Sequence, residues 1–407
     1  MNLTIHKSTI NPQSSIVITG SKSESNRLLL LQALYPHIKI ENLSNSDDSE
    51  VMQQALASSG SVMDIHHAGT AMRFLTAYFA VQEGREVLLT GSSRMKERPI
   101  KILVDALKAL GANIAYEEQE GFPPLRIKGQ KLTKHQVTLQ ANVSSQYISA
   151  LLLIGSKLEN GLQLALEGQI TSVPYIKMTL ALLEEIGVNT HFEDKTITVN
   201  PTANSQQPIT LTVESDWSSA SYFYSIVALS DVGTQITLSS YKENSLQGDS
   251  ALATIYKAFG VETTFQGHQV MLKKVKASQN SFSYNLIESP DIAQTIAVTA
   301  FALGISCDLF GLHTLKIKET DRLEALKTEL EKFGATLSVT NESLHLQSFS
   351  GAIKSAKVAT YNDHRMAMAF APLAIKTSME ILDAGVVSKS YPGFWDDLKA
   401  LGFQLSQ

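Results

Sequence analysis

The residues of this chain best able to do chemistry are cations placed at the mouths of apolar helices. In "GSKSESNRLLLLQAL", Gly20 to Leu34, Lys22 and Arg27 stand among three serines just before an unbroken apolar run. A helix start leaves backbone N–H groups unpaired and carries about half a positive charge. Ser, Asp, Asn or Gly there can be simple caps, and each polar cluster taken alone leaves that reading open. A cap needs no Lys or Arg, however, so Lys22, Arg27, Arg73 and Arg365 point to anion binding. "SRMKERPI" adds Arg94, Lys96 and Arg98; "VVSKSYPGFW" adds Lys389. In "LKIKETDRLEAL", Lys316, Lys318 and Arg322 gather at the positive end of a helix that Thr320 or Asp321 can cap. Cations are unfavourable there, and such local frustration is expected at functional sites. With Asp291, Glu319 and Asp363, the set fits two phosphorylated or carboxylated small molecules with acid–base chemistry between them.

The elements that position these residues repeat. Polar clusters leading into small-residue or apolar helices recur at Ser21, Gly69, Ser144, Asp216, Asp291 and Asp363. The first step is roughly 50 residues and each later one roughly 70–75, which marks a repeat architecture. In phase with them run amphipathic helices closed by Gly111, Gly187, Gly260, Gly334 and Gly402, with Gly60 as the candidate first copy. Each unit therefore reads as buried helix, strand, surface helix, strand, strand. Six units predict two domains of three, with a boundary near Glu214. "NPTANSQQP" just ahead reads as a turn-rich loop.

The bulk composition bounds the rest. The chain has 407 residues, 43% hydrophobic and 18% charged, with a net charge of −5. This is a globular composition that argues against a general nucleic-acid surface. The single Cys307 lies in the strand-like "GISCDLFG" and reads as a core thiol, with a nucleophile as the alternative. No Cys/His cluster has metal-ligand spacing. The opening stretch shows no signal-peptide core, and no run reaches the ~18 apolar residues of a membrane span. The expectation is a reduced, cytoplasmic protein.

"GSKSESNRLLLLQAL", "AGTAMRFLTA", "RMKERPI", "SSQYISALL", "SASYF", "SPDIAQTIAV", "KIKETDRLEAL" and "YNDHRMAMAFAPLA" together resemble the 5-enolpyruvylshikimate-3-phosphate synthases, in family order from Gly20 to Lys389. The resemblance implies an α/β, two-domain enolpyruvyl transferase fold. Each domain has three βαβαββ repeats with buried parallel helices, an inside-out α/β barrel. Residues 20–213 would form the shikimate-phosphate side. Residues 1–19 plus 214–407 would carry the catalytic carboxylates and much of the phosphoenolpyruvate site. The implied reaction moves the enolpyruvyl group of phosphoenolpyruvate to the 5-hydroxyl of shikimate 3-phosphate by addition and elimination, with no cofactor and no metal. The implied partners are these two small molecules, neither nucleic acid nor membrane, and the chain is expected to be a monomer.

Carried over by position, Lys22, Ser23, Arg27, Ser144, Ser145, Gln146, Ser172, Tyr175, Asp291 and Lys318 would hold shikimate 3-phosphate. Lys22, Gly69, Arg98, Gln146, Arg322, Arg365 and Lys389 would surround phosphoenolpyruvate. Asp291 would be the base at the hydroxyl. Glu319 and Lys22 would be the candidates for proton delivery. His67, Phe74, Trp217 and Thr314 depart from the commonest family pattern. Two alternatives stand beside this reading. One is the sister transfer to UDP-N-acetylglucosamine, whose enzymes usually carry a loop cysteine. The other is an inactive anion-binding homologue.

Overall fold

The computed structural model describes residues 1–141, 144–201, 207–276 and 279–407. The chain divides into two compact units, Gly20–Val213 and Met1–Thr19 with Glu214–Gln407. Among the described residues each unit holds three buried helices. They are Lys22–Leu34, Gly69–Ala80 and Ser145–Gly155 in the unit of residues 20–213. In the other unit they are Trp217–Leu229, Ala293–Ala302 and His364–Phe370. Beyond their polar first turns these sequences are largely apolar or small, so little of their surface needs water. Every residue of Gly69–Ala80, Ala293–Ala302 and His364–Phe370 is buried.

Five four-stranded sheets share one plan. Two parallel strands flank a connection, and two further strands add antiparallel. Ser281–Asn285 and Ser306–Phe310, for example, pair in parallel across the buried Ala293–Ala302 helix, since parallel neighbours need such a crossover. Ser343–Leu346 and then Leu337–Val339 complete that sheet. Cys307 lies on its second strand, fully buried, and burial pushes its thiol up to about 12. It is a core residue.

The first repeat is shorter than expected. The helix Asp47–Ala57 reaches the strand Val62–Asp64 with no hairpin between, so the first sheet has two strands, Ile38–Glu41 and Ile209–Thr212. The missing hairpin accounts for the short first step of the repeat. The two connecting segments also exchange partners. Gln13–Ile16 precedes the first buried helix but pairs with Gln235–Ser239, which follows the fourth. Ile209–Thr212 precedes the fourth but pairs with Ile38–Glu41, which follows the first.

Gly111, Gly334 and Gly402 cap their surface helices in the left-handed conformation. Two of the glycine-closed helices differ from expectation. The Asp47–Ala57 helix ends at Ser58, whose hydroxyl accepts from Gly60 N, and Gly60 has no positive φ. That local serine turn replaces the glycine cap. "TIYKAFG" forms only a four-residue helix, Leu252–Ile255, after a 3-10 turn at Gly248–Ala251. Its approach is pinned at Gln247, which donates to Ser215 O and accepts from Trp217 N. "NPTANSQQP" falls largely on residues 202–206, outside the described residues.

Gly20 stands where the chain passes between units, immediately before the first helix start. A Cβ there would lie 1.9 Å from Asn42 O and 2.7 Å from Val213 Cγ1. Both strand ends would have to move. Gly20→Ala is expected to cost about 2 kcal/mol in urea unfolding.

Candidate active site

In the unit of residues 20–213, Arg27 ties three helices together. It is 2% exposed. Its Nε donates to Thr179 Oγ1 at 2.7 Å, Nη1 to Ser23 O at 2.7 Å, and Nη2 to Ser149 Oγ at 3.0 Å and Tyr175 O at 3.2 Å. The guanidinium also lies 5.5 Å from the Phe74 ring centre, so the departure at Phe74 supplies a cation–π neighbour. Burial pulls Arg27 down to about 10. Ser23 and Tyr175 are thus gathered around Arg27.

The other expected residues of this unit sit at helix starts. Ser144 caps the third buried helix by accepting from Gln146 N, and Ser145 follows, buried. Gln146 Nε2 donates to Thr70 Oγ1 at 3.1 Å, which links that start to the second one beside Gly69. Ser172 is held left-handed at φ 53° ahead of the Val173–Glu185 helix and makes no cap bond. Arg73 Nη2 and the Tyr147 hydroxyl both donate to Pro99 O and fix the segment that carries Arg98. A Cβ on Gly69 would fall 2.5 Å from Arg98 Nη1, so glycine is what lets the guanidinium lie against the helix start. Arg94 and Lys96 pair outward with Glu97 and Glu118 and read as solvated charges. Lys22 faces Asp48 at 3.6 Å, and His67 lies 3.9 Å from both Asp47 and Asp48.

In the other unit one guanidinium organises the acidic residues. Arg322, 2% exposed, donates from Nε to Asp363 Oδ2 at 2.5 Å. Its Nη1 reaches Asp291 Oδ1 and its Nη2 Glu319 Oε2, each at 2.8 Å. The three carboxylates come from three helix starts. Asp363 caps the His364–Phe370 helix, Glu319 precedes the helix that Asp321 caps, and Asp291 lies in the 3-10 turn leading into Ala293–Ala302. Lys318 Nζ is 3.5 Å from Asp291 Oδ1, and Arg365 Nη2 is 3.3 Å from Asp291 Oδ2. Lys389 donates to Asn362 O at 2.6 Å, on the turn before the last buried helix. Thr314 Oγ1 is buried without a hydrogen-bond partner among the described residues.

Burial works to raise the Asp291 carboxyl, but Lys318, Arg365 and Arg322 outweigh it and hold it well below the usual carboxylate range. Burial likewise opposes the charge on Arg322, and Asp363, Glu319 and Asp291 more than restore it. Sequence reasoning missed Asp48, Thr70, Ser149, Thr179, Ser218, Glu214, Gln247 and Asp249, which hold these groups from neighbouring elements. The polar island "LQGDS" was the one local signal for the last two.

The fold defines the class first. An EPSP synthase from Acinetobacter baumannii matches with a TM-score of 0.79 at 19% identity, covering all of both chains. The enolpyruvyl transferase NikO from Streptomyces tendae matches at 0.76 and 13%, covering 100% of this chain and 98% of that one. These likenesses establish an enolpyruvyl transferase fold. Sequence goes further. The family model for EPSP synthase (3-phosphoshikimate 1-carboxyvinyltransferase) matches residues 37–398. A 3-phosphoshikimate 1-carboxyvinyltransferase of Bacteroides fragilis is 47% identical over 398 residues, 96% of each chain. One from Histophilus somni is 35% identical over 98% of this chain and 99% of its own. The chain belongs to the EPSP synthase family.

The depressed Asp291 has a consequence for stability. A carboxylate whose folded pKa lies below its unfolded value stabilises above the unfolded pKa and loses that contribution as pH falls. Asp291→Asn is expected to be less stable than the wild type at pH 7, because three cations then face one another with less compensation. The gap should shrink below about pH 4, read by urea unfolding at a series of pH values.

Proposed function

We propose that this chain transfers the carboxyvinyl group of phosphoenolpyruvate to the 5-hydroxyl of shikimate 3-phosphate, with release of inorganic phosphate. Family membership supports the activity. The observation that carries the assignment of groups is the Arg322 guanidinium, which holds Asp291 and Glu319 side by side at 2.8 Å each. A base and an acid are what this addition requires.

The hydroxyl oxygen bonds to C2 of phosphoenolpyruvate while Asp291 takes its proton. C3 gains a proton from Glu319 or Lys22, and a tetrahedral phosphate ketal forms. The C2–O bond to phosphate then breaks, C3 returns its proton, and the enol ether remains. Lys22, Arg98, Arg322, Arg365 and Lys389, with Gly69 and Gln146, bind phosphoenolpyruvate. Lys22, Ser23, Arg27, Ser144, Ser145, Gln146, Ser172, Tyr175 and Lys318 bind shikimate 3-phosphate. In the free protein Asp291 is too strongly stabilised as an anion to be a good base. Anionic substrates draw the same cations toward themselves, and the carboxylate becomes more basic only when both are bound.

Phosphate release from phosphoenolpyruvate should require shikimate 3-phosphate and should fall by about 10²–10⁴ in Asp291→Asn, the usual range for a positioned base. Release with UDP-N-acetylglucosamine instead would move the acceptor to the sister reaction. Tight binding of both ligands without release would make the protein a binder.

Gly69→Ala tests the arginine beside it. The new Cβ displaces the end of a flexible side chain rather than backbone, so the fold should hold within about 1 kcal/mol. The Michaelis constant for phosphoenolpyruvate should rise about tenfold, with that for shikimate 3-phosphate little changed, in steady-state kinetics.

A further inference from the structure

Asp249 lies in the 3-10 turn Gly248–Ala251 and is 1% exposed. One carboxylate oxygen, Oδ2, accepts the Ser218 hydroxyl. The other, Oδ1, is buried without a hydrogen-bond partner among the described residues. Ser218 Oγ in turn accepts from Arg365 Nη2 at 3.2 Å, the same nitrogen that lies 3.3 Å from Asp291 Oδ2. The bonds run in one direction: arginine donates to serine, and serine donates to aspartate.

The scaffold around this chain of bonds is stiff. Gln247, two residues ahead, accepts from Trp217 N at 2.9 Å and donates to Ser215 O at 2.9 Å. Glu214 takes Trp217 Nε1 at 2.7 Å, Lys242 N at 2.9 Å and Ser245 Oγ at 2.7 Å. The turn that carries Asp249 is therefore fastened to the start of the Trp217–Leu229 helix that carries Ser218. Trp217, which departs from the family pattern, is one of the fasteners. Nothing in the reaction uses Asp249 directly. A carboxylate would not be buried here with a free oxygen for packing alone, because burying an unpaired charge is costly.

We infer that Asp249, acting through Ser218, is a positioning residue that aims the Arg365 guanidinium at the anionic substrate. The inference rests on the reading of Arg365 as a phosphoenolpyruvate ligand. When the substrate draws Arg365 away from Asp291, the bond to Ser218 remains and fixes the angle of approach. The charged groups facing Asp249 are Arg365 from the last buried helix, Asp291 from the turn before the fifth, and Asp216 from the start of the fourth. Burial holds Asp249 up to about 6, against the pull of Arg365. Once protonated, it can donate to Ser218, and the one-way chain to Arg365 is lost.

The test is steady-state kinetics of the full chain, Asp249→Asn and Ser218→Ala on either side of pH 6. At neutral pH both variants should raise the Michaelis constant for phosphoenolpyruvate about tenfold. Turnover and the constant for shikimate 3-phosphate should stay within about twofold. The gap from wild type should close below pH 6, where the wild-type aspartate is itself protonated; ionisation of the substrate phosphate is common to all curves. An unchanged constant in Ser218→Ala, or a gap that stays constant with pH, overturns the inference, and Ser218→Ala decides it should Asp249→Asn fold poorly. Arg365→Lys separates the two layers. If it leaves the phosphoenolpyruvate constant unchanged, the ligand reading of Arg365 fails. If it raises that constant while the other two variants do not, only the positioning inference fails.

Discussion

A single buried guanidinium, Arg322, meets carboxylates from three helix starts, and the chemistry proposed for its unit depends on that arrangement. Helix starts are electropositive, and a buried arginine among them would be prohibitive alone. Asp291, Glu319 and Asp363 make it tolerable. The arrangement also fixes their geometry, since a planar fork accepts carboxylates only in certain directions. Lys318 and Arg365 complete the balance on Asp291. Such a cluster is neutral enough to fold around and charged enough to exchange partners when an anion arrives.

Arg27 solves the same burial problem differently. Its hydrogen bonds end on Thr179, Ser149 and the carbonyls of Ser23 and Tyr175, all neutral oxygens. Its pKa accordingly falls, where that of Arg322 rises. Arg322 is shielded by charges of opposite sign, whereas Arg27 leaves a positive field at the start of its helix. That field suits a phosphate or carboxylate ligand, because none of these hydrogen bonds of Arg27 ends on a carboxylate. The two buried arginines are therefore compensated differently, Arg27 by neutral acceptors and Arg322 by carboxylates.

Much of this was legible in the sequence, and the reasons are specific. The buried helices announce themselves because residues apolar on all sides can sit nowhere else, and the repeat emerges from their polar starts. The cations were legible because capping does not require them. What stayed hidden depends on pairing between distant segments. Nothing local in "QSSI" says that it joins a strand more than 200 residues away, or that the first repeat gives up its hairpin. Asp249 and Glu214 were hidden for a related reason. A single acidic residue in a polar stretch looks solvated until the fold buries it. Arg94 and Lys96 illustrate the reverse, since they share a motif with Arg98 yet pair with the exposed carboxylates of Glu97 and Glu118.

The choice between cap and ligand site, open at each cluster taken alone, is sharpened by which starts are capped. Ser144, Asp216 and Asp363 each accept a bond from a backbone N–H of their own helix. Ser21, at the first start, makes no such bond, and its hydroxyl is buried without a partner among the described residues. The second start has Ala68 at the cap position, followed by Gly69, and neither has a side chain that could cap. At the fifth, Asp291 turns its carboxylate to Arg322 and Arg365 instead of to the helix. The uncapped starts are those beside Lys22, Arg98 and the Asp291 cluster. A helix start that forgoes its cap gives up about 1 kcal/mol. It keeps its N–H groups and its dipole available to an anion, and the neighbouring cations make that exchange favourable.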